Sequence, residues 1–267
     1  MLFRSGFNGV NFSAAPFSSV AQPTIEANRF SPKASLSYEA SRDWQFTASY
    51  GRAYRFPTVT ELYQAVTVAG VIFTPNPNLR PEAANTGELA AEHVTEKGRQ
   101  RISMFQENLR DALISQNSTI PGTTTIGSST QNIDRIRSQG IEVAAQQQDV
   151  VVRGLDLNGS FTYVRSRILS DPNFRNAANV LTDVSGKITP NIPRLKASGY
   201  ATYRYDAKWS GTVGARYSDR VWATVDNTDI NPHTYQGFER YFVVDTRVNF
   251  QADRQTRVSV GIEIGRA

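Results

Sequence analysis

The stretch "RLKASGYATYRYD", residues 194–206, decides the fold because its apolar and polar side chains alternate. One parity carries the apolar side chains, namely Leu195, Ala197, Ala201, Tyr203 and Tyr205. The other parity carries polar ones, namely Lys196, Ser198, Thr202, Arg204 and Asp206. A period of two places successive side chains on opposite faces of a strand. The stretch therefore predicts a β-strand with one apolar and one polar face.

The same alternation returns along the chain. It is found in "FSPKASLSYEA" (30–40), "WQFTASYGRAYRF" (44–56), "LDLNGSFTY" (155–163) and "YFVVDTRVNFQ" (241–251). In all, the pattern predicts about ten strands, which are too long and too many to pack readily as a sandwich. The segment "PEAANTGELAAEHVTEK" (81–97) competes as a helix, because its alanines and glutamates have high helix propensity.

The connections between these strands alternate in length. Short polar turns are expected at 41–43, 96–100, 205–208 and 252–255, and long loops at 58–80, 117–131, 171–193 and 226–240. Short turns at one end and long loops at the other are typical of an all-β, antiparallel transmembrane β-barrel of the outer membrane. Aromatic residues near the strand ends would form its interfacial girdles, and the alternative is that they fill a sandwich core. These residues are Tyr54, Phe56, Trp222, Tyr241 and Phe242.

Composition excludes several other classes of protein. The chain has 267 residues, a formal charge of +5, no cysteine and two histidines, His93 and His233. No thiol chemistry is possible and a zinc site of the usual kind is not expected, so we predict neither catalytic nor metal-ligating residues, and no cofactor. No apolar run approaches the roughly 18 residues of a spanning helix. The basic residues are scattered along strands, which argues against nucleic acid as a partner.

Two short motifs lie at the end of one predicted strand. They are "AYRFPTVTELYQ" (53–64) and "NPNLRPE" (76–82). Pro57 would end strand pairing because it lacks an N–H donor, and the Asn–Pro–Asn run favours a turn. Glu61 and Glu82 are expected to pair with Arg55 and Arg80 at the rim of the sheet.

In this order, and followed by "GELAAEH" (87–93) and "QNIDRIRSQGIEVAA" (131–145), the motifs resemble the barrel signature of TonB-dependent outer-membrane receptors. Arg80 stands where the family usually has lysine. The residues that carry the resemblance are Arg55, Phe56, Pro57, Thr58, Glu61, Leu62, Tyr63, Asn76, Pro77, Asn78, Leu79, Pro81, Glu82, Gly140 and Glu142.

The resemblance implies energy-coupled uptake of a ferric siderophore or similar metal chelate across the outer membrane of a Gram-negative bacterium, without covalent chemistry. The implied partners are outer-membrane lipid and lipopolysaccharide, the chelate itself, and the TonB–ExbB–ExbD complex acting through a plug domain. Candidate ligand contacts in the loop 227–240 are His233, Tyr235, Phe238 and Arg240. The alternatives left open are a plug-less outer-membrane porin and a β-rich adhesin or binding module.

About ten strands would form only part of a family barrel of roughly 22 strands. We expect residues 31–263 to be the C-terminal portion of such a barrel, with the plug absent. Residues 1–30 are expected to hold an incomplete strand or loop with a non-native start, and residues 264–267 a non-native end. The strings "LFRS" (2–5) and "IGRA" (264–267) are the reason, because a common sequencing adapter and its reverse complement can encode them.

Overall fold

A computed structural model describes residues 2–5, 8–11, 18–21, 24–63, 66–68, 71–119, 126–176 and 180–266. These residues form an almost entirely β structure that contains one helix of a single turn, α1 (Val59–Tyr63). No helix in these ranges has the length and apolarity needed to cross a membrane.

The main sheet is an antiparallel meander of ten long strands in which each strand pairs with its neighbours along the path. The strands are numbered in chain order. Two separate ladders come first, pairing β1 (Leu2–Ser5) with β4 (Ile25–Asn28) and β2 (Asn8–Asn11) with β3 (Ser18–Ala21). The meander then comprises β5 (Lys33–Glu39), β6 (Trp44–Arg55), β9 (Glu82–Thr95), β10 (Gly98–Thr119), β11 (Ile126–Gln147), β12 (Leu155–Ser170), β13 (Leu195–Arg204), β14 (Trp209–Ser218), β15 (Tyr241–Gln251) and β16 (Arg257–Arg266). The short strands β7 (Val66–Val68) and β8 (Val71–Thr74) form a hairpin, and β8 extends the sheet by pairing parallel to the start of β11.

Alternation gives the sheet an apolar and a polar face. Cross-strand partners on the apolar face run in rows, such as Leu36, Ala48, Leu89, Met104 and Ile141. The large members of this row are exposed, as a lipid-facing barrel wall requires. The opposite face carries ion pairs between strands, including Arg101–Glu88 at 2.6 Å and Arg216–Asp245 at 3.0 Å. We call these the outer face and the inner face.

The segment 81–97, whose helix propensity is high, forms a strand and not a helix. Strand β9 is paired along its length with β6 on one side and with β10 on the other. Two complete ladders satisfy its backbone groups, and its alternating side chains fit both faces, so tertiary context overrides the helix propensity of its alanines.

The predicted loop at 117–131 is largely wrong. Strand β10 continues to Thr119 and β11 begins at Ile126, with Asn117 opposite Ser128 in register. The segment is rich in serine, threonine and asparagine, which is why its sequence is typical of a loop. Its backbone is nevertheless held in a hairpin ladder, because a ladder satisfies backbone groups whatever the side chains are.

The aromatic girdles are only partly where the sequence predicted them. Phe242 lies on the outer face and is exposed, but Phe56 is only 8% exposed and Tyr241 faces inward opposite Ser218, so both are excluded from a lipid-facing girdle. At the turn end, the outer face instead carries aromatic rings that sequence inspection did not single out. They include Trp44 stacked near Phe46, and Trp209 packed against Phe250 at 4.5 Å.

Candidate functional site

Three long connections meet at the end of the sheet opposite the short turns. Loop A comprises residues 56–81 between β6 and β9, loop B residues 171–194 between β12 and β13, and loop C residues 219–240 between β14 and β15. Long loops of outer-membrane barrels face the outside of the cell. This loop end is therefore the candidate site for a ligand that arrives from outside.

Loop A begins with a helix cap built from the first motif. The Glu61 carboxylate accepts hydrogen bonds from the Thr58 N–H at 2.7 Å and the Thr58 hydroxyl at 3.0 Å, and the Glu61 N–H donates to the Thr58 hydroxyl at 3.2 Å. This reciprocal pairing is a capping box, which satisfies donors at the start of α1. Arg55 donates to the same carboxylate at 2.7 Å. Burial would raise the pKa of Glu61, but these hydrogen bonds outweigh it and lower the pKa.

The second motif is folded against the first. The Asn76 N–H donates to the Glu61 carbonyl at 2.8 Å, and the Asn76 side-chain oxygen accepts the Asn78 N–H at 3.1 Å. The Asn76 amide also donates to the Thr130 carbonyl on β11 at 3.2 Å. The Asn–Pro–Asn turn thus connects the capped helix to a neighbouring strand.

Asn132 on β11 fixes the end of loop A. Its side-chain oxygen accepts the Arg80 N–H at 2.8 Å, and its amide nitrogen donates to the carbonyls of Arg80 at 2.9 Å and Asp111 at 2.8 Å. The Arg80 guanidinium pairs with the Asp111 carboxylate, while the Glu82 carboxylate accepts the Leu113 N–H at 2.9 Å. The expected Arg55–Glu61 pair is present. The expected Arg80–Glu82 pair is wrong, because both side chains reach across to β10.

Several motif residues are buried rather than available to a ligand. Leu62, Tyr63 and Leu79 form a small apolar cluster with Leu113. Gly140 lies on the inner face beneath the Phe105 ring, where an added Cβ would come within 2.8 Å of that ring and 2.3 Å of the Tyr163 carbonyl oxygen. Other motif residues are at the surface. Pro77, Asn78 and Glu142 are exposed.

Loops B and C share a second apolar cluster with the strands below them. Phe174 and Val184 of loop B and Val225 of loop C are buried in it, together with Ala112, Ile133, Ile136 and Ile168 of the sheet. Asn227 in loop C clamps loop B by accepting the Ile188 N–H at 2.7 Å and donating to the Ile188 carbonyl at 2.8 Å. Its φ of 54° is one that asparagine adopts more readily than most residues. The two loops therefore form one layer over the loop end of the sheet.

A half-buried carboxylate shapes the start of loop C. Asp229 accepts hydrogen bonds from the N–H groups of Ala223 and Thr224 at 3.1 and 3.0 Å, and from the Thr224 hydroxyl at 2.7 Å. Burial would raise its pKa, but these hydrogen bonds dominate and lower it. The turn that they close also connects to loop B, where the Asn191 N–H donates to the Trp222 carbonyl at 2.8 Å.

The candidate ligand residues of loop C lie at the surface but are not all brought together. His233 and Arg240 are exposed, and Tyr235 is 38% exposed with its ring edge-on to Tyr241 at 6.1 Å. Phe238 is half-buried and its carbonyl accepts the Val221 N–H at 2.9 Å. Within the ranges described, no hydrogen bond or ring contact joins His233, Phe238 and Arg240 to one another.

Two arginine–aromatic pairs at this end were missed by sequence reasoning. The Arg220 guanidinium lies 3.9 Å from the centre of the Trp222 ring, and Arg194 lies 5.4 Å from the centre of the Tyr163 ring while donating to its hydroxyl at 3.1 Å. The spacing of Arg220 and Trp222 in sequence could have suggested the first pair. The second joins a loop to a strand and carries no local signal.

The loop end therefore presents arginine and aromatic groups, which bind anionic and flat, delocalised ligands through charge-assisted hydrogen bonds and stacking. Among the residues with described positions, no group of three or more histidine, aspartate, glutamate or cysteine side chains is placed to hold a metal ion.

Comparison with known proteins gives one consistent family. A model described as "TonB dependent receptor-like, beta-barrel" matches residues 4–263. Two proteins of Haemophilus influenzae are similar in sequence. "Probable hemoglobin and hemoglobin-haptoglobin-binding protein 1" is 31% identical over 137 residues, covering 47% of this chain and 13% of that protein. "Heme/hemopexin utilization protein C" is 30% identical over 141 residues, covering 45% of this chain and 20% of that protein.

Solved structures share the fold at low sequence identity. The siderophore receptor PiuA from Acinetobacter baumannii aligns with a TM-score of 0.68 and 15% identity, covering 97% of this chain and 35% of that one. The copper transporter OprC aligns with a TM-score of 0.64 and 18% identity, covering 97% of this chain and 38% of that one. The chain thus spans well under half the length of these proteins.

Proposed function

Because the chain belongs to the TonB-dependent receptor family of the Gram-negative outer membrane, we propose that it is the C-terminal barrel portion of a receptor for an anionic metal chelate, such as a ferric siderophore. Uptake is driven through the TonB–ExbB–ExbD complex acting on a plug domain supplied by the rest of the receptor. The chain's part in this is to supply barrel wall and external loops.

The observation that carries the proposal is the layer formed by loops B and C. Their shared apolar cluster and the Asn227 clamp hold the two loops together, so groups far apart in sequence belong to one surface. That surface carries Arg220, with its guanidinium over the Trp222 ring, and the exposed Arg240. Fixed cations beside aromatic rings suit a chelate with carboxylate, catecholate or hydroxamate oxygens.

Haem is the second candidate ligand. Two relatives with 31% and 30% sequence identity are named for haemoglobin and for heme/hemopexin, whereas the likeness to siderophore receptors is one of fold. Haem is also flat and anionic, so the same arginine and aromatic groups could bind its propionates and ring face. His233, exposed on loop C, is the imidazole available in the described part of that surface.

The test is uptake by a Gram-negative strain that lacks its own chelate receptors and expresses the receptor containing this chain. Cells receive radiolabelled iron as catecholate or hydroxamate siderophores or as haemin, with and without a functional TonB gene. We expect saturable uptake of one class, lost without TonB. Arg220→Ala should weaken binding by about tenfold, since each stacked or charge-assisted contact contributes on the order of 1–2 kcal/mol.

The matched control is Arg254→Ala, because Arg254 is an exposed arginine on a short turn at the opposite end. It should leave uptake unchanged. Uptake that is non-saturable and equal without TonB would instead identify a porin, and binding without any uptake would identify an adhesin.

A further inference from the structure

A groove on the outer face lies apart from the loop end, on strands β5, β6, β9 and β10. Its space is about 400 Å³ and its lining is almost wholly apolar. The walls are Leu36 and Phe46 on one side and Leu89, Ile102 and Met104 on the other. The exposed apolar face of a membrane barrel is covered by lipid, so the groove is a candidate seat for a lipid acyl chain.

The groove exists because small residues interrupt the rows of large ones. Ala48 lies between Leu36 and Leu89 in register, and Ala91 lies between Phe46 and Ile102. Each alanine leaves a gap that its large cross-strand neighbours border. Because the two alanines lie on adjacent strands and in adjacent rows, their gaps join into a single diagonal depression.

A row of polar side chains closes the groove on its turn side. Trp44 and His93 are cross-strand partners with rings stacked at 4.6 Å, and His93 is the partner of Gln100. The ring nitrogen Nδ1 of His93 lies 3.0 Å from the Gln100 side-chain oxygen, and the Gln100 amide donates to the Gln147 side-chain oxygen at 2.8 Å. His93 stands two residues from Ala91 on the same face, a separation of roughly 7 Å along a strand.

The hydrogen bonds of this row fix which groups remain for a ligand. Since the Gln100 amide nitrogen donates to Gln147, its oxygen faces His93, and Nδ1 of His93 carries the shared proton. The other ring nitrogen, Nε2, can then accept a hydrogen bond, and the Gln147 amide nitrogen is a donor with no other partner among the residues described. The stacked Trp44 ring adds a surface that attracts cations.

The site lies on the turn side, so it belongs to the leaflet that faces the periplasm. An ethanolamine phospholipid matches both the apolar groove and the polar row beside it. Its ammonium group can donate to Nε2 of His93 beside the Trp44 ring, its phosphate oxygens can accept from the Gln147 amide, and an acyl chain can follow the apolar groove. A glycerol headgroup offers no cation to the ring, and the lipopolysaccharide headgroup lies in the opposite leaflet.

We propose that this outer-face groove, with the row Trp44–His93–Gln100 and the adjoining Gln147, is a binding site for one ethanolamine phospholipid of the periplasmic leaflet. The site rests on the placement of the chain in the outer membrane and is independent of which chelate the receptor takes up.

Native mass spectrometry of the receptor containing this chain tests the proposal. The detergent-solubilised protein is mixed with equal amounts of palmitoyl-oleoyl phosphatidylethanolamine and palmitoyl-oleoyl phosphatidylglycerol. We expect one retained ethanolamine lipid, preferred by about fivefold, which is the value of one net hydrogen bond. Ala48→Leu should abolish retention by filling the groove, and His93→Leu should remove the preference, because it deletes the acceptor for the ammonium group, while leaving acyl-chain binding.

Ala201→Leu is the matched control, because Ala201 is an alanine on the outer face of β13, away from the groove. It should behave as the unmodified protein. Folding of each variant is checked by its heat-modifiable mobility on a gel, with Ala91→Leu used if Ala48→Leu fails to fold. Equal retention of both lipids by the unmodified protein, or undiminished retention by the folded groove-filling variant, would overturn the proposal.

Discussion

Two asparagines at the loop end pair with the backbone of a loop residue in the same way. Asn132 accepts the N–H and donates to the carbonyl of Arg80, and Asn227 does the same for Ile188. A side-chain amide has one acceptor and one donor side, so it can pair with both backbone groups of one residue as a neighbouring strand would. Each asparagine therefore satisfies the backbone N–H and carbonyl of one loop residue, and holds a loop to a distant segment.

Glu61 gives the first prediction at the residue scale. Glu61→Gln replaces a charged acceptor of three hydrogen bonds by a neutral one. We expect α1 to open more readily by about 1 kcal/mol, the usual cost of a weakened cap. Hydrogen exchange should then be roughly fivefold faster at the Leu62 amide, which donates to the Thr58 carbonyl in this turn.

The destabilisation of α1 by Glu61→Gln should also depend on pH. The folded-state pKa of Glu61 lies below its ordinary value of 4.5, so its stabilisation is complete above that value and is lost as pH falls through the lowered pKa. The difference between the original chain and Glu61→Gln should shrink in the same range. Glu96→Gln, at an exposed turn glutamate, is the control. A difference that persists unchanged under strong acid would disprove the charge argument.

At the scale of elements, the strands could be predicted and the loop packing could not. Alternation is a local signal, and it predicted the main strands and the meander that they form. The loops have no period, and Phe174, Val184 and Val225 gave no sign that they would be buried together, because their contacts join segments far apart in the chain. For the same reason, the sequence did not predict that Arg80 pairs with Asp111 or that Arg194 pairs with Tyr163.

The second prediction concerns the attachment of loop B. Phe174 is 1% exposed in the cluster shared with loop C, so Phe174→Ala should cost about 3–5 kcal/mol of local packing. The barrel strands keep their ladders, so only the loops should loosen. Limited proteolysis of the receptor containing this chain should show faster cleavage within residues 171–194, with unchanged heat-modifiable mobility.

Leu181→Ala provides the comparison for that change. Leu181 is in the same loop, but its side chain is 59% exposed, so its removal leaves no cavity. Cleavage should stay at the original rate. If both variants were cleaved equally fast, the buried cluster would not be what holds loop B in place.

At the scale of the whole molecule, one face must meet lipid and the other must not. The sequence predicted which residues share a face, and the register of the meander extends those faces into continuous rows from β5 to β16. What it could not predict is the level of each row along the membrane normal, because that depends on strand pairing across the whole sheet. The groove beside His93 is visible only once those rows are aligned.

The third prediction tests the assignment of the faces with neighbouring positions on β14. Val213 points outward and is 56% exposed, while Thr212 is the next residue and points inward, opposite Thr202. Val213→Arg places a charge in lipid near the middle of a strand, which costs about 2–4 kcal/mol at the bilayer midplane. Refolding of the receptor into lipid vesicles, followed by heat-modifiable mobility, should show a clear loss of folded protein for this variant.

Thr212→Arg should fold nearly as well as the original chain, because the inner face at this position opens onto a polar space that Arg216, Asp245 and Arg247 also line. Each variant introduces one arginine, and the two positions are adjacent and at nearly the same depth, so the main difference between them is the face. Equal folding of both would mean that lipid does not distinguish the two faces at this position. A greater loss for Thr212→Arg would mean that the faces are assigned the wrong way round. The lipid groove would then lie inside the barrel, and the proposed phospholipid site would be wrong.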